Sequence, residues 1–104
     1  MNRGNYIDTA KYIVCNDRQD QHGNPENTFL LIAEYWSTYL SKETATDLVI
    51  APADVAVMMT LLKIARMQMN AHNQDNIIDG IGYLAIAGEL IDEVEGSEEM
   101  MNAQ

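Results

Sequence analysis

The chain has 104 residues, 16 acidic and 6 basic, and a formal net charge of −10. That length supports one domain, which on folding buries only about 60–70% of the surface its unfolded chain exposes, so contact between copies would add stability. The acidic balance argues against a nucleic-acid duplex or an anionic membrane as partner, because like charge repels it.

Apolar residues make up 47% of the sequence, too many for a disordered chain, and there are only two prolines, at 25 and 52. Ala, Leu, Ile and Met dominate the apolar set, a mixture that favours helices over sheets. Small nucleotides remain accessible partners, since their phosphates usually reach protein through a bound metal. The one cysteine, Cys15, allows no internal disulfide and reads as a small apolar helix residue. No apolar run is long enough to span a membrane and no basic-then-apolar leader is visible, so a cytoplasmic protein is expected.

The first amphipathic helix is expected over about Tyr6 to Arg18, with Ile7, Ala10, Val14 and Cys15 near one side. It stops in the polar run from Arg18 to Asn24, whose Gly23 and Asn24 mark a turn. Asn24 is a suitable N-cap and Pro25 suits the first position of a second helix. In that helix Phe29, Ile32, Ala33, Trp36 and Leu40 recur at three- and four-residue steps as a core stripe. A polar connector from Ser41 to Ala51 follows.

The third helix is expected from Pro52 to Asn70. Its apolar residues, Val55 to Met59, Leu61, Leu62, Ile64 and Ala65, go nearly all the way round. One short domain cannot cover such a helix on every side, which predicts a homodimer or homotetramer with this helix in or near the contact. A fourth helix is expected from Asp75 to Glu95, with Gly80, Gly82 and Gly88 at positions where a backbone or ligand comes close. The fold predicted is all-α: one domain over residues 1–95, an oligomeric four-helix antiparallel bundle, and an acidic tail over 96–104.

The chain has no Gly-rich phosphate loop, nucleophile elbow or Cys/His zinc spacing, and His22 and His72 read as solvated turn residues. What remains are charged residues inside apolar helices. Glu34 lies beside the Phe29–Trp36 stripe, Lys63 and Arg66 are three apart on one face, and Asp75 and Asp79 are four apart on another. Most also have a structural reading: Asp75 as an N-cap, Asp54 as an acid complementing a helix dipole, Glu34 as solvated, and the two cations as snorkelling residues, whereas Asp79, flanked by Ile77, Ile78 and Ile81, is harder to dismiss. Read together, acids on two helices converging on a cation would favour Mg²⁺ or Mn²⁺, and the nearby cations would favour phosphate groups.

The run Arg18 to Phe29, the block Ile32-Ala33-Glu34-Tyr35-Trp36, the stretch Asp54 to Arg66 and the block Asp75 to Tyr83 stand in an order and spacing that resemble small phage and prophage MazG-like proteins. Such proteins belong to the all-α nucleoside triphosphate pyrophosphatases. The resemblance implies a Mg²⁺-dependent release of pyrophosphate from a nucleoside triphosphate, with the metal bound by a Glu-x-x-Glu pair and a Glu-x-x-Asp pair. On that basis Asp79 matches the last acid of the second pair, Asn76 stands in place of its Glu, and Asp75 is a substitute one residue earlier. Glu34 matches one acid of the first pair, whose partner is replaced by Leu31 or Ser37; Glu26 and Asp54 are the remaining acids that could compensate.

The expected assignment is therefore Glu34 and Asp79 as catalytic residues, Glu34, Asp75 and Asp79 as metal ligands, and Lys63 and Arg66 as phosphate ligands. The missing carboxylates raise a second reading, a relative that sequesters a nucleotide without cleaving it in a phage anti-defence role. A third is an acidic inhibitor of a host protein, acting through its C-terminal acids.

Overall fold

The computed structural model describes residues 1–17 and 25–102. Four helices and no strand occur among them: α1 (Arg3–Tyr12, prolonged by a π turn at Ile13–Asp17), α2 (Pro25–Thr44), α3 (Pro52–Met69) and α4 (Gln74–Asn102). The polar segment from Arg18 to Asn24, with His22 and the expected cap, lies outside the described residues. None of the described helices is long and apolar enough to cross a membrane.

Local chemistry sets the helix ends. The Asn5 N–H donates to Asn2 Oδ1 at 2.8 Å and the Asn2 N–H to Asn5 Oδ1 at 3.0 Å, a reciprocal cap that starts α1 ahead of the expected Tyr6. Pro25 and Pro52 open α2 and α3 as expected. At α3 the Ala51 N–H donates to Asp54 Oδ2 at 2.9 Å, so Asp54 closes the first turn. α2 runs past Leu40 to Thr44 and stops where Ala45 takes φ 52°, the left-handed conformation that commonly ends a helix.

The connector after α2 is fastened to it by two serines one turn apart. Ser37 Oγ accepts from the Ile50 N–H at 2.8 Å, and Ser41 Oγ accepts from the Leu48 N–H at 2.9 Å. α4 continues through the expected tail to Asn102, in keeping with the helix-forming Glu and Met residues there.

α3 and α4, joined by a turn at residues 70–73, form an antiparallel helical hairpin with the most extensive packing in the chain. α2 packs on α3 and α1 on α4, so the main contacts run in the succession α2–α3–α4–α1. Phe29 and Ala33 from α2, Val55 and Ala56 from α3, and Ala87 and Leu90 from α4 make the core. The Phe29 ring meets Tyr83 at 6.2 Å between centroids. Val55 and Ala56 are fully enclosed, whereas Val57, Met58, Leu61, Leu62 and Ile64 on the same helix are exposed. The chain's own core thus covers one side of α3 and leaves the other bare.

Gly80, Gly82 and Gly88 of α4 do not mark close approaches of backbone. A Cβ at Gly80 would sit 3.9 Å from Lys63 Cβ, one at Gly82 would sit 3.6 Å from Val14 Cβ, and one at Gly88 would meet nothing within 4 Å. Gly88→Ala is therefore expected to stabilise the chain by roughly 0.5–1 kcal/mol, through helix propensity alone. A denaturant midpoint that falls instead would show that this face must accept another surface closely.

Candidate functional site

Lys63 and Asp79 lie at the heart of the α3–α4 hairpin. Their charged groups are 3.0 Å apart, with side chains only 13% and 16% exposed. A half-buried pair of this kind holds the two helices in register, and an ammonium that neutralises Asp79 competes with any cation there. Asp79 also lines a gap of about 10 Å³ against Ala10 of α1 and Ile13 and Val14 of the π turn, with room for no more than one water.

The other expected residues are dispersed. Glu34 is exposed on α2, and its backbone carbonyl accepts from Thr38 Oγ1 at 2.9 Å. Ser37, at the position of a second acid, is occupied with the connector, and Leu31 is exposed. Asp75 is exposed in the first turn of α4, where its N–H donates to Asn73 Oδ1 at 3.0 Å; the cap is Asn73, not Asp75. Asp54 is engaged at the start of α3. Among the described residues no three His, Cys, Asp or Glu side chains come close enough to hold a metal ion. Glu34, Asp75 and Asp79 thus do not form a donor set for Mg²⁺ or Mn²⁺ within one chain.

Arg66 takes a different course from Lys63. Three residues along a helix turn the side chain by about 60°, enough for α4 to cover one cation and leave the other at the rim. Arg66 is exposed and has no ion-pair partner among the described residues. It lines an open hollow of about 480 Å³ with Leu62, Ala65 and Met69 on one side and Asn70, Asn73 and Asn76 on the other.

Asn76 is the unusual member. It is only 8% exposed as a residue, and it stands on the wall of the hollow. Among the described residues no buried side-chain nitrogen or oxygen lacks a hydrogen-bond partner. The asparagines were legible only as turn formers, although their three-residue spacing at 70, 73 and 76, following Arg66, was a signal. His72 is exposed in the same turn, and Cys15 is exposed in the π turn rather than packed in an apolar face.

Residues 5–91 match a family described as "Domain of unknown function (DUF6378)". The chain belongs to this family. It is similar to the "Gene 55 protein" of Mycobacterium phage L5, with 35% identity over 84 residues, or 81% of this chain and 51% of the relative. It is likewise similar to the "Gene 55 protein" of Mycobacterium phage D29, with 33% identity over 91 residues, or 86% of this chain and 56% of the relative. The chain thus spans about half the length of these curated relatives. Both are phage proteins, which supports a phage origin for this DUF6378 chain. No solved structure matches it. The family description attaches no reaction to DUF6378, so the chemistry must be argued from the residues.

Proposed function

We propose that this protein binds a nucleotide through its phosphates in the hollow at the α3–α4 turn and holds it without cleaving it. The observation that carries this reading is the exposed Arg66 guanidinium, which has no ion pair among the described residues and lines one open hollow with Asn70, Asn73 and Asn76. Arginine offers phosphate a planar fork of donors, and asparagine amides supply further donors at fixed positions. Leu62, Ala65 and Met69 give the hollow an apolar wall suited to a base or sugar. Its size falls within the usual range of small-molecule sites, about 300–1,000 Å³. In a chain of net charge −10, a cation with no ion pair among the described residues is what an anionic ligand requires.

Magnesium-dependent pyrophosphohydrolysis is the activity that the MazG-like resemblance implies. It would need carboxylates beyond those that one chain's described residues gather, and Asp79 would have to leave Lys63. One experiment separates the readings. The protein is incubated with ribo- and deoxyribonucleoside triphosphates and cyclic dinucleotides, in Mg²⁺, Mn²⁺ or EDTA, and free and retained species are read by mass spectrometry. Intact nucleotide retained in EDTA is the expected result. Metal-dependent monophosphate and pyrophosphate would replace this reading with hydrolysis, and no retention at all would remove it in favour of a protein partner.

Within this reading Arg66→Ala weakens binding about 10- to 100-fold, the usual loss for a charge-assisted contact, as read by calorimetric titration. Its melting temperature stays close to wild type because Arg66 is exposed and makes no ion pair among the described residues.

A further inference from the structure

We infer that the hollow selects nucleotides whose phosphate is a singly charged diester, as in a cyclic nucleotide, over those ending in a monoester or a polyphosphate. The inference rests on the nucleotide reading and adds which class of nucleotide the site takes.

Charge is the first ground. Arg66 is the one charged side chain among the described residues that line the hollow. The neighbouring cation, Lys63, is held 3.0 Å from Asp79 inside the α3–α4 hairpin. Among the described residues no group of acids is placed to carry a metal ion that would neutralise further phosphate charge. One guanidinium therefore meets the ligand, in a chain of net charge −10. A phosphate diester brings a single negative charge, which that group balances. A terminal monoester brings about 1.5 to 2 at neutral pH, and a triphosphate brings more. The exposed acid Asp75, next to Asn76 in the first turn of α4, opposes each charge left unbalanced.

The backbone is the second ground. Terminal phosphates and polyphosphates are commonly cradled by free N–H groups at a turn or helix start. At this turn those donors are engaged. The Asn70 N–H donates to the Arg66 carbonyl at 3.0 Å, the Asn73 N–H to the Asn70 carbonyl at 3.2 Å, and the Asn76 N–H to the Asn73 carbonyl at 3.3 Å. The Asp75 N–H donates to Asn73 Oδ1 at 3.0 Å. These positions thus offer no main-chain cradle for a crown of phosphate oxygens. They offer a flat guanidinium fork, whose paired donors match the pair of non-bridging oxygens on a diester.

A nucleic-acid strand carries the same diester, but its long run of charges is what the net charge of this chain repels. A small cyclic nucleotide presents the diester with little else, and its base can rest on Leu62, Ala65 and Met69.

The test is calorimetric titration in EDTA, taking for each base the cyclic mononucleotide, the cyclic dinucleotide, the linear monophosphate and the triphosphate. One cyclic form is expected to bind at least tenfold more tightly than the monophosphate and the triphosphate, and which cyclic form leads identifies the source of the diester. A monophosphate or triphosphate that binds as tightly as the cyclic forms overturns the selection and leaves the nucleotide reading standing. Binding of none of the four overturns both. The titration is repeated with Arg66→Lys, which keeps the charge and loses the fork, with circular dichroism as the check on folding. Affinity for the preferred cyclic form is expected to fall at least fivefold, and unchanged affinity overturns the match of fork to diester.

Discussion

An Asn76→Leu chain melts at a higher temperature than wild type and no longer retains nucleotide. Leucine has nearly the shape of asparagine, and at a position only 8% exposed it buries apolar surface where a polar side chain stood. Removing that amide and adding apolar contact is worth about 1 kcal/mol, a rise of roughly 4–8 °C for a domain of this size. The ligand loses a donor at the same time, and binding falls by about tenfold or more. Opposite signs for stability and binding mark a residue kept for function at some cost to the fold. Differential scanning calorimetry and titration on the same sample read both effects. A lower melting temperature would mean that the amide supports the fold, and the case for a ligand at this position would be lost.

Lys63→Met and Asp79→Leu each destabilise the chain by about 2 kcal/mol, and the double variant loses less than the two together. Each single change leaves the opposite charge in a setting only 13–16% exposed. The double variant removes both charges and packs apolar groups in their place, which in other proteins is neutral or better. A coupling of about 1–2 kcal/mol from urea midpoints is the expected outcome. Additive losses would show that the pair does not bind the two helices together. In the nucleotide reading, Lys63→Met also keeps most of the wild-type affinity in the cold. This separates the two cations, which the sequence presents as equivalent.

The helices were readable because their apolar spacing and the two prolines act locally. Phe29 and Ala33 lie in the core where their periodicity put them, and Pro25 and Pro52 start their helices. The end of α2 was harder to read. Nothing in the composition of Ser41 to Thr44 signals that Ala45 adopts φ 52° and that the two serines tie the connector down.

The surplus of apolar residues on α3 was legible as a count, and the structure adds which of them face outward. At the site, spacing placed Lys63 near Arg66 but could not show that a 60° turn separates their environments. Glu34 illustrates the same limit. An acid beside a core stripe can face a neighbouring helix or the solvent, and here it faces solvent. Asn70, Asn73 and Asn76 were hidden by their own chemistry, because asparagine is what a turn would contain anyway.

The hollow is lined wholly by residues between Leu62 and Asn76, one helix end, one turn and one helix start. A site written in so short a stretch needs little loop closure to assemble. In the nucleotide reading, changes in α1 and α2 therefore leave the lining of the hollow in place.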